Sequence, residues 1–327
     1  MQVKPMQIAA ALLLTGLALA GSPAGAQSPA EYPAKTVKLI VPNAPGGPVD
    51  SLARIMGAAM ETRFKRPFVV ENRTGASGQI ASEFVARSPA DGYTLLVIAQ
   101  PVVFEQATNK GWPLKIDRDL MPITIFAGSG YTLVVPATLP VNNLRELVAY
   151  SIANPNKLNE GHPGGFNADI ALLERAMKMG PIQAIPYAGS APAIQALLAG
   201  DIHLLGTTPL TVRQFEKTGK IKVLAYTGRQ RHSMLPAVPT VSESNVGLND
   251  FEAGLWVSMI GPANLPAEVV NKLYATSSDS LKSADVLGKL DNVGWVPMDL
   301  PPAQARARML ALLKDYQDAV AAGVRLR

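Results

Sequence analysis

Short apolar runs alternate with helix-period segments along most of the chain. TVKLIV (36–41), FVVEN (68–72), YTLLVIA (93–99), ITIFA (123–127) and YTLVVPA (131–137) are rich in Val, Ile, Thr and Tyr and read as strands. IQAIPY (182–187), IHLLG (202–206), IKVLAY (221–226) and LWVSMIG (255–261) read the same way. Between them, VDSLARIMGAAME places Val49, Leu52, Ala53, Met56 and Met60 on one face at helical spacing. LRELVAYSIA, ADIALLERAMKM and APAIQALLAG share that spacing, and Asn143 with Glu146 three residues on forms a helix start. Strand and helix in alternation predict an α/β fold in two lobes, each a parallel sheet with helices on both faces.

The C-terminal third breaks the alternation. Segments 266–283 and 301–323 read as long amphipathic helices with no strand of comparable weight between them. They are expected to cap the earlier lobe, which requires the chain to cross back after the second. No repeat or low-complexity linker marks a boundary, so the lobes are expected to be joined by crossing strands.

The first residues change the picture of where the chain works. Lys4 precedes an apolar run from Ile8 to Ala20, too short to span a bilayer, and Ala24-Gly25-Ala26 follows as a small-x-small cleavage pattern. Residues 1–26 therefore read as a cleaved export signal, leaving about 300 residues starting near Gln27. Lys4 is the only charge in that segment, so the net charge falls from +5 to +4. The chain has no cysteine, which rules out disulfides, a thiol nucleophile and thiolate metal sites. Basic residues are scattered and aromatics sparse, so no nucleic-acid surface is expected. No later stretch is long and apolar enough for membrane insertion.

Signatures of catalysis are missing. His162, His203 and His232 show no metal spacing and read as surface or satisfied core histidines. Gly75-Ala76-Ser77-Gly78 and Gly128-Ser129-Gly130 fail the spacing of a nucleophile elbow, and Gly46-Gly47-Pro48-Val49 lacks the lysine of a P-loop. No enzyme, cofactor or metal is expected.

What recurs is a strand that ends in a small-residue loop and restarts as a helix. It happens at APGGPVD (44–50), GHPGGFNAD (161–169) and YAGSAPA (187–193). Each helix start offers unpaired N–H groups at the positive end of the helix dipole, and glycine lets an anion approach the backbone. One such loop alone reads as a mere corner. Three of them, with no lysine or arginine inside any, point to a pocket that grips a carboxylate with neutral donors. The turn at 75–78 either lines the same cleft or braces APGGPVD. Asp50, in a first helical turn, stabilises the dipole or orients a water or ligand amine.

At this point the residues carry a resemblance. YPAKTVKLIVPNAPGGPVDSLARIM, VVENRTGASGQIASEFVARSPADGYTLLV, IPYAGSAPAIQALLAGDIHLL, AYTGRQRHSMLPAVPTVSE and LWVSMIGPANLPAEVVNKL are together similar to the Bug (TctC-like) substrate-binding proteins of tripartite tricarboxylate transporters. The resemblance runs over nearly the whole exported chain. It implies a type II periplasmic binding protein: two doubly wound α/β lobes, joined by crossing hinge strands, with a ligand cleft between. Residues 27–128 with 253–327 would form one lobe and 129–252 the other. It further implies a monomer that closes on a small carboxylate and delivers it to a two-subunit membrane permease.

Carried over by position, the ligand site comprises Gly46, Gly47, Asp50, Gln100, Gly164, Gly165, Asn167, Gly189, Ser190, Ala191 and Thr207. Gly46 and Gly47 would donate backbone hydrogen bonds or hold waters, with Asp50 supporting their loop. Gly189, Ser190 and Ala191 would meet a carboxylate from the second lobe. Three segments depart from the family pattern: Gln100 to Phe104 replaces a Thr/Ser cluster, Gly164 to Asp169 lacks the usual hydroxyls, and Gly206-Thr207-Thr208 stands where many members carry Phe-Asp. A tricarboxylate or simple dicarboxylate therefore does not follow, and Phe104 and Phe166 hint at an aromatic or larger carboxylate. A rival reading is an exported sensor that signals to a membrane kinase by the same closure.

Overall fold

The computed structural model describes residues 32–163, 168–187 and 190–323. The expected export signal, residues 1–26, lies outside the described residues.

The N-terminal half of the chain builds β1 (Val37–Val41), α1 (Pro48–Phe64), β2 (Phe68–Asn72), α2 (Gln79–Ala86), β3 (Thr94–Ala99), α3 (Pro101–Thr108), α4 (Ile116–Asp119), β4 (Leu120–Gly130), β5 (Thr132–Pro136), α5 (Leu144–Ala153) and β6 (Asn159–Pro163). Then follow α6 (Ala168–Ala176), β7 (Gln183–Tyr187), α7 (Ser190–Ala199), β8 (Leu204–Thr207), α8 (Pro209–Glu216), β9 (Ile221–Tyr226), β10 (Gly254–Pro262), α9 (Ala267–Leu281), α10 (Ala284–Asn292), β11 (Val296–Leu300) and α11 (Pro302–Ala321).

These strands form two sheets, one of six strands in the order β11-β4-β10-β3-β1-β2 and one of five in the order β7-β6-β8-β5-β9. Alternation along the strands sends side chains to both faces. In β1, Leu39 and Val41 join Leu52, Met56 and Met60 of α1 and Leu273 of α9. Ile40 faces the other way, toward Val85 of α2 and Met309, Leu313 and Tyr316 of α11. The second sheet is covered by Leu144, Leu147, Ile170 and Leu173 on one side and by Ala193, Ile194, Leu197 and Val212 on the other. Each sheet is thus a middle layer between helices, as the alternation predicts. The C-terminal helices do return to the first sheet.

The all-parallel expectation is corrected. β1 runs parallel to β2 and β3, but β10 pairs antiparallel with β3 and β4, and β11 is antiparallel to β4. In the second sheet β6 is parallel to β7 and β8, while β5 is antiparallel to β8 and β9. β5 and β10 run against their neighbours where the chain enters a sheet from the other one, and β11, which follows α10 on the first sheet's own face, is a further antiparallel edge strand.

One crossing is direct, since only Tyr131 separates β4 from β5. The other runs from the end of β9 into β10. Thr227 clasps the two: its amide donates to Tyr131 O at 2.9 Å, its hydroxyl donates to Ala253 O at 2.6 Å, and the Tyr131 amide donates to that hydroxyl at 2.7 Å. Gly254 sits opposite Gly130 at φ 151°, and a Cβ there would lie 2.4 Å from Ser129 O. Only glycine lets the two crossing strands come this close. Among the described residues no helix is long and apolar enough to cross a membrane.

Candidate ligand-binding site

A cavity of about 530 Å³ lies where loops after the strands of both sheets meet. The first sheet contributes Pro42 and Asn43 after β1, Gly75 to Gly78 after β2, and Ala99 and Gln100 at the end of β3. The second contributes Ala168, Ser190, and Gly206 to Thr208 at the end of β8. Ile98, Phe104, Glu105, Tyr131, Leu255 and Tyr316 complete the wall. Ligands of open α/β sheets lie at this carboxyl edge.

Five helices start at this cavity. Gly78 is the N-cap of α2, Gln100 of α3 and Thr208 of α8, while Ala168 opens α6 and Ser190 opens α7. No side chain caps α2, α3 or α8, but α3 and α8 open on Pro101 and Pro209, which carry no amide hydrogen, and the Gln79 amide of α2 donates to Ala76 O, so few of their first amides are left for a ligand or water. Each start also carries the positive end of a helix dipole. The described wall contains no lysine, arginine or histidine.

The turn at 75–78 is the most unusual stretch of this wall. Four successive residues have positive φ: Gly75 at 125°, Ala76 at 45°, Ser77 at 52° and Gly78 at 91°. For Ala76 and Ser77 that conformation costs on the order of 1 kcal/mol each. The turn leaves the Ala76 and Ser77 amides without a partner among the described residues. Of the two open readings for this turn, the geometry supports the first, that it lines the cleft. It also touches the neighbouring loop, since a Cβ on Gly78 would lie 3.3 Å from Pro42.

The site residues expected from the sequence divide into three groups. Gln100, Ser190 and Thr207 line the cavity, and Thr207 Oγ1 donates to Ser190 Oγ at 3.3 Å. Gly46, Gly47, Asp50 and Ala191 lie outside the wall: between β1 and α1 only Pro42 and Asn43, just before APGGPVD, reach the cavity, and Ala191 borders a shallower groove on α7. Gly164, Gly165, Asn167 and Gly189 fall outside the described residues, as does Phe166.

Asp50 serves its loop. Its buried carboxylate accepts from the Gly46 amide at 2.9 Å, from Arg54 Nε at 2.9 Å and Nη2 at 3.0 Å, and from Asn72 Nδ2 at 2.8 Å. Arg54 first, aided by Gly46 and Asn72, holds the Asp50 carboxyl down at about 2 against the opposing cost of burial. Both Asp50 oxygens are engaged in these bonds. Replacing it by alanine should cost about 2 kcal/mol at neutral pH, read from urea unfolding, because three donors lose one acceptor. A depressed carboxyl stabilises the fold above its unfolded value and stops doing so as pH falls through the folded one. The penalty should therefore fade between about pH 4 and 2. An undiminished penalty at pH 2 would refute the charge-based account.

Two wall residues, Gln100 and Tyr316, form with Asp169 behind them a unit that was not legible in the sequence. Gln100 Nε2 donates to Asp169 Oδ2 at 2.7 Å and approaches Tyr316 OH at 3.3 Å, while Tyr316 OH donates to Asp169 Oδ1 at 2.7 Å. Burial pushes the Asp169 carboxyl up, opposed by Tyr316, Gln100, the Gly254 amide and the charge of Arg308. The cluster ties α6, beside the second sheet, to β3 and α11 of the first. Phe104 meets Tyr316 edge-on at 5.6 Å.

The histidines are structural, as expected. His162 pairs with Glu160 in the interior, His203 Nδ1 accepts from the Asn159 amide at 3.1 Å, and His232 Nδ1 accepts from the Met234 amide at 3.1 Å. No group of side chains among the described residues is arranged to hold a metal ion.

Two sheets linked by clasped crossings, with helix starts gathered at the cleft, define a solute-binding protein of the periplasmic type. The chain belongs to the tripartite tricarboxylate transporter receptor family, TctC, whose model matches residues 52–317. It is 30% identical to protein BugT of Bordetella pertussis over 279 residues, 84% of this chain and 85% of that one. Among solved structures it is similar to a TctC solute-binding protein from Polaromonas (TM-score 0.79, 26% identity, 89% of this chain and 99% of that one). It is likewise similar to a Rhodopseudomonas palustris protein solved with adipate (TM-score 0.72, 30% identity, 89% of this chain and 98% of that one). The family is one of solute-binding receptors, and the resemblance read from the sequence holds.

Proposed function

We propose that this protein is an exported, periplasmic receptor that closes two lobes on a small carboxylate. The lobes are residues 27–128 with 253–327, and 129–252. It then delivers the ligand, as a monomer, to a tripartite transporter with one large and one small membrane subunit. The observation that carries this reading is the convergence of five helix starts on a wall without a cationic side chain. Such a wall favours an anion while avoiding the cost of burying an unpaired cation in the empty state. The adipate held by the R. palustris relative is consistent with that chemistry. The family is one of solute-binding receptors, and this reading assigns the protein no enzymatic role.

A thermal-shift screen against a carboxylate panel tests this. Ligand at a hundredfold over its dissociation constant adds about 2.7 kcal/mol of stability. A panel in which no carboxylate shifts the melting temperature would remove the anion-receptor reading. Gly47→Leu asks whether APGGPVD closes over the ligand. A Cβ at Gly47 would meet only Ala44 O, at 3.4 Å, so the unliganded melting temperature should hardly move. The ligand-induced shift should fall by more than half. An unchanged shift would show that APGGPVD does not close over the ligand, leaving Pro42 and Asn43 just before it as this segment's share of the wall.

A further inference from the structure

We infer that a groove behind the crossing strands is a second ligand site, built for an organic carboxylate with an apolar body. A cavity of about 890 Å³ opens there, between the end of β9 on one side and β11, α10 and α11 on the other. Leu255 alone belongs both to its wall and to that of the cleft described above, so the crossing strands separate the two. Their chemistry differs. The cleft wall carries no cationic side chain among the described residues, whereas Arg229, Arg231 and Arg308 line the groove.

Donors in the groove outnumber acceptors. Trp295, 5% exposed, lines it with a buried Nε1 that has no partner among the described residues, and Arg308 Nε is in the same condition. A buried donor left without an acceptor is costly, and a ligand oxygen would relieve it. The acids of the wall are already engaged. Glu252 accepts from Arg229 Nε at 2.6 Å and from Arg308 Nη2 at 3.1 Å, and Asp291 accepts from Ser233 Oγ at 2.6 Å. Arg231 is paired with Glu243, outside the wall. Arg229 spends only Nε among the described residues, and its side chain is 78% exposed, so its other N–H groups can fork onto a carboxylate. Beside these donors lies apolar surface: Leu287 and Val296 stand 40% and 43% exposed on the same wall, next to Met298. An apolar ligand body would cover them.

The probes are 2-naphthoate and its uncharged amide, 2-naphthamide. The three tryptophans give three indole signals in ¹H–¹⁵N spectra of the protein, and Trp295→Phe identifies that of Trp295. 2-Naphthoate should move the Trp295 signal and leave that of Trp112, which lies outside both walls, in place. The dissociation constant is read from this signal, so binding in the cleft does not enter it. Arg229→Gln should weaken 2-naphthoate by about tenfold, and 2-naphthamide should bind the native protein about tenfold more weakly than the acid. Ser190→Ala, in the cleft wall, should change neither value. A Trp295 signal that 2-naphthoate does not move would overturn the inference. So would equal affinity in Arg229→Gln, equal affinity of acid and amide, or loss of binding in Ser190→Ala. The receptor reading rests on the cleft wall and survives each of these results.

Discussion

Replacing Glu174 by glutamine should stabilise the protein at pH 8 by on the order of 2 kcal/mol, the reverse of most buried substitutions. β6 turns Glu160 and His162 inward, and Glu174 of α6 faces them. Glu160 and Glu174 are hydrogen-bonded to each other, which needs a proton between two carboxyl groups. Burial first, then the neighbouring Glu160, pushes Glu174 up to about 9; burial pushes Glu160 well above the carboxylate range and His162 down. The unfolded chain gives up these carboxyl protons near pH 4.5, whereas the folded chain keeps that of Glu174 to about pH 9. Across that window the unfolded state binds fewer protons, so stability falls as pH rises, by about 1.4 kcal/mol per unit for each such group. His162, held neutral by burial, tilts the curve the other way below its usual range, so the decline is cleanest above pH 7.

Glutamine offers Glu160 a permanent N–H donor without a titrating proton. The variant should therefore show a shallower fall in urea midpoint from pH 7 to 9, and a midpoint above the native protein's at pH 8. Parallel curves for the two proteins would mean that Glu174 is ionised in the fold and balanced by another group.

Asp169→Ala should act in the opposite direction, costing about 3 kcal/mol and weakening ligand binding together. It leaves the Gln100 amide and the Tyr316 hydroxyl, both buried, facing an empty space. It also removes the polar tie between α6 and the first sheet, which holds the two halves of the cavity wall together. Asp169→Asn keeps the shape and one acceptor and should retain more than half of the lost stability. Chemical unfolding and calorimetry on the same samples separate the two effects. A loss of stability with native affinity would show that the tie braces α6 without shaping the cleft.

Most elements were legible because their side chains follow the period of the backbone. IKVLAY and LRELVAYSIA match β9 and α5 residue for residue. β6 was missed because its inward face carries Glu160 and His162, so no apolar alternation marks it. β11 reads VPMDL, an edge strand whose residues are half-buried or exposed, and it too lacks the pattern of a core strand. Helices α2, α3, α8 and α10, eight or nine residues each, were not read as elements, whereas α6, of nine residues, was.

The site was legible as a kind of place. The small-residue turns after strands pointed to the helix starts, and Gln100, Ser190 and Thr207 do line the cavity. Tyr316 and Asp169 were not, since nothing local marks residues drawn from α11 and α6 as neighbours.

The sequence by itself determined the α/β class, the strands with apolar faces, the small-residue turns before helix starts and the family. These follow from local periodicity, from backbone groups that a small-residue turn leaves unpaired, and from motifs read in order. The tertiary structure decided the mixed strand directions, the positive-φ turn at 75–78 as a wall of the cleft, and the Gln100–Asp169–Tyr316 tie. Each depends on residues far apart in the chain becoming neighbours, with their protons and charges set by burial among groups that no local pattern brings together.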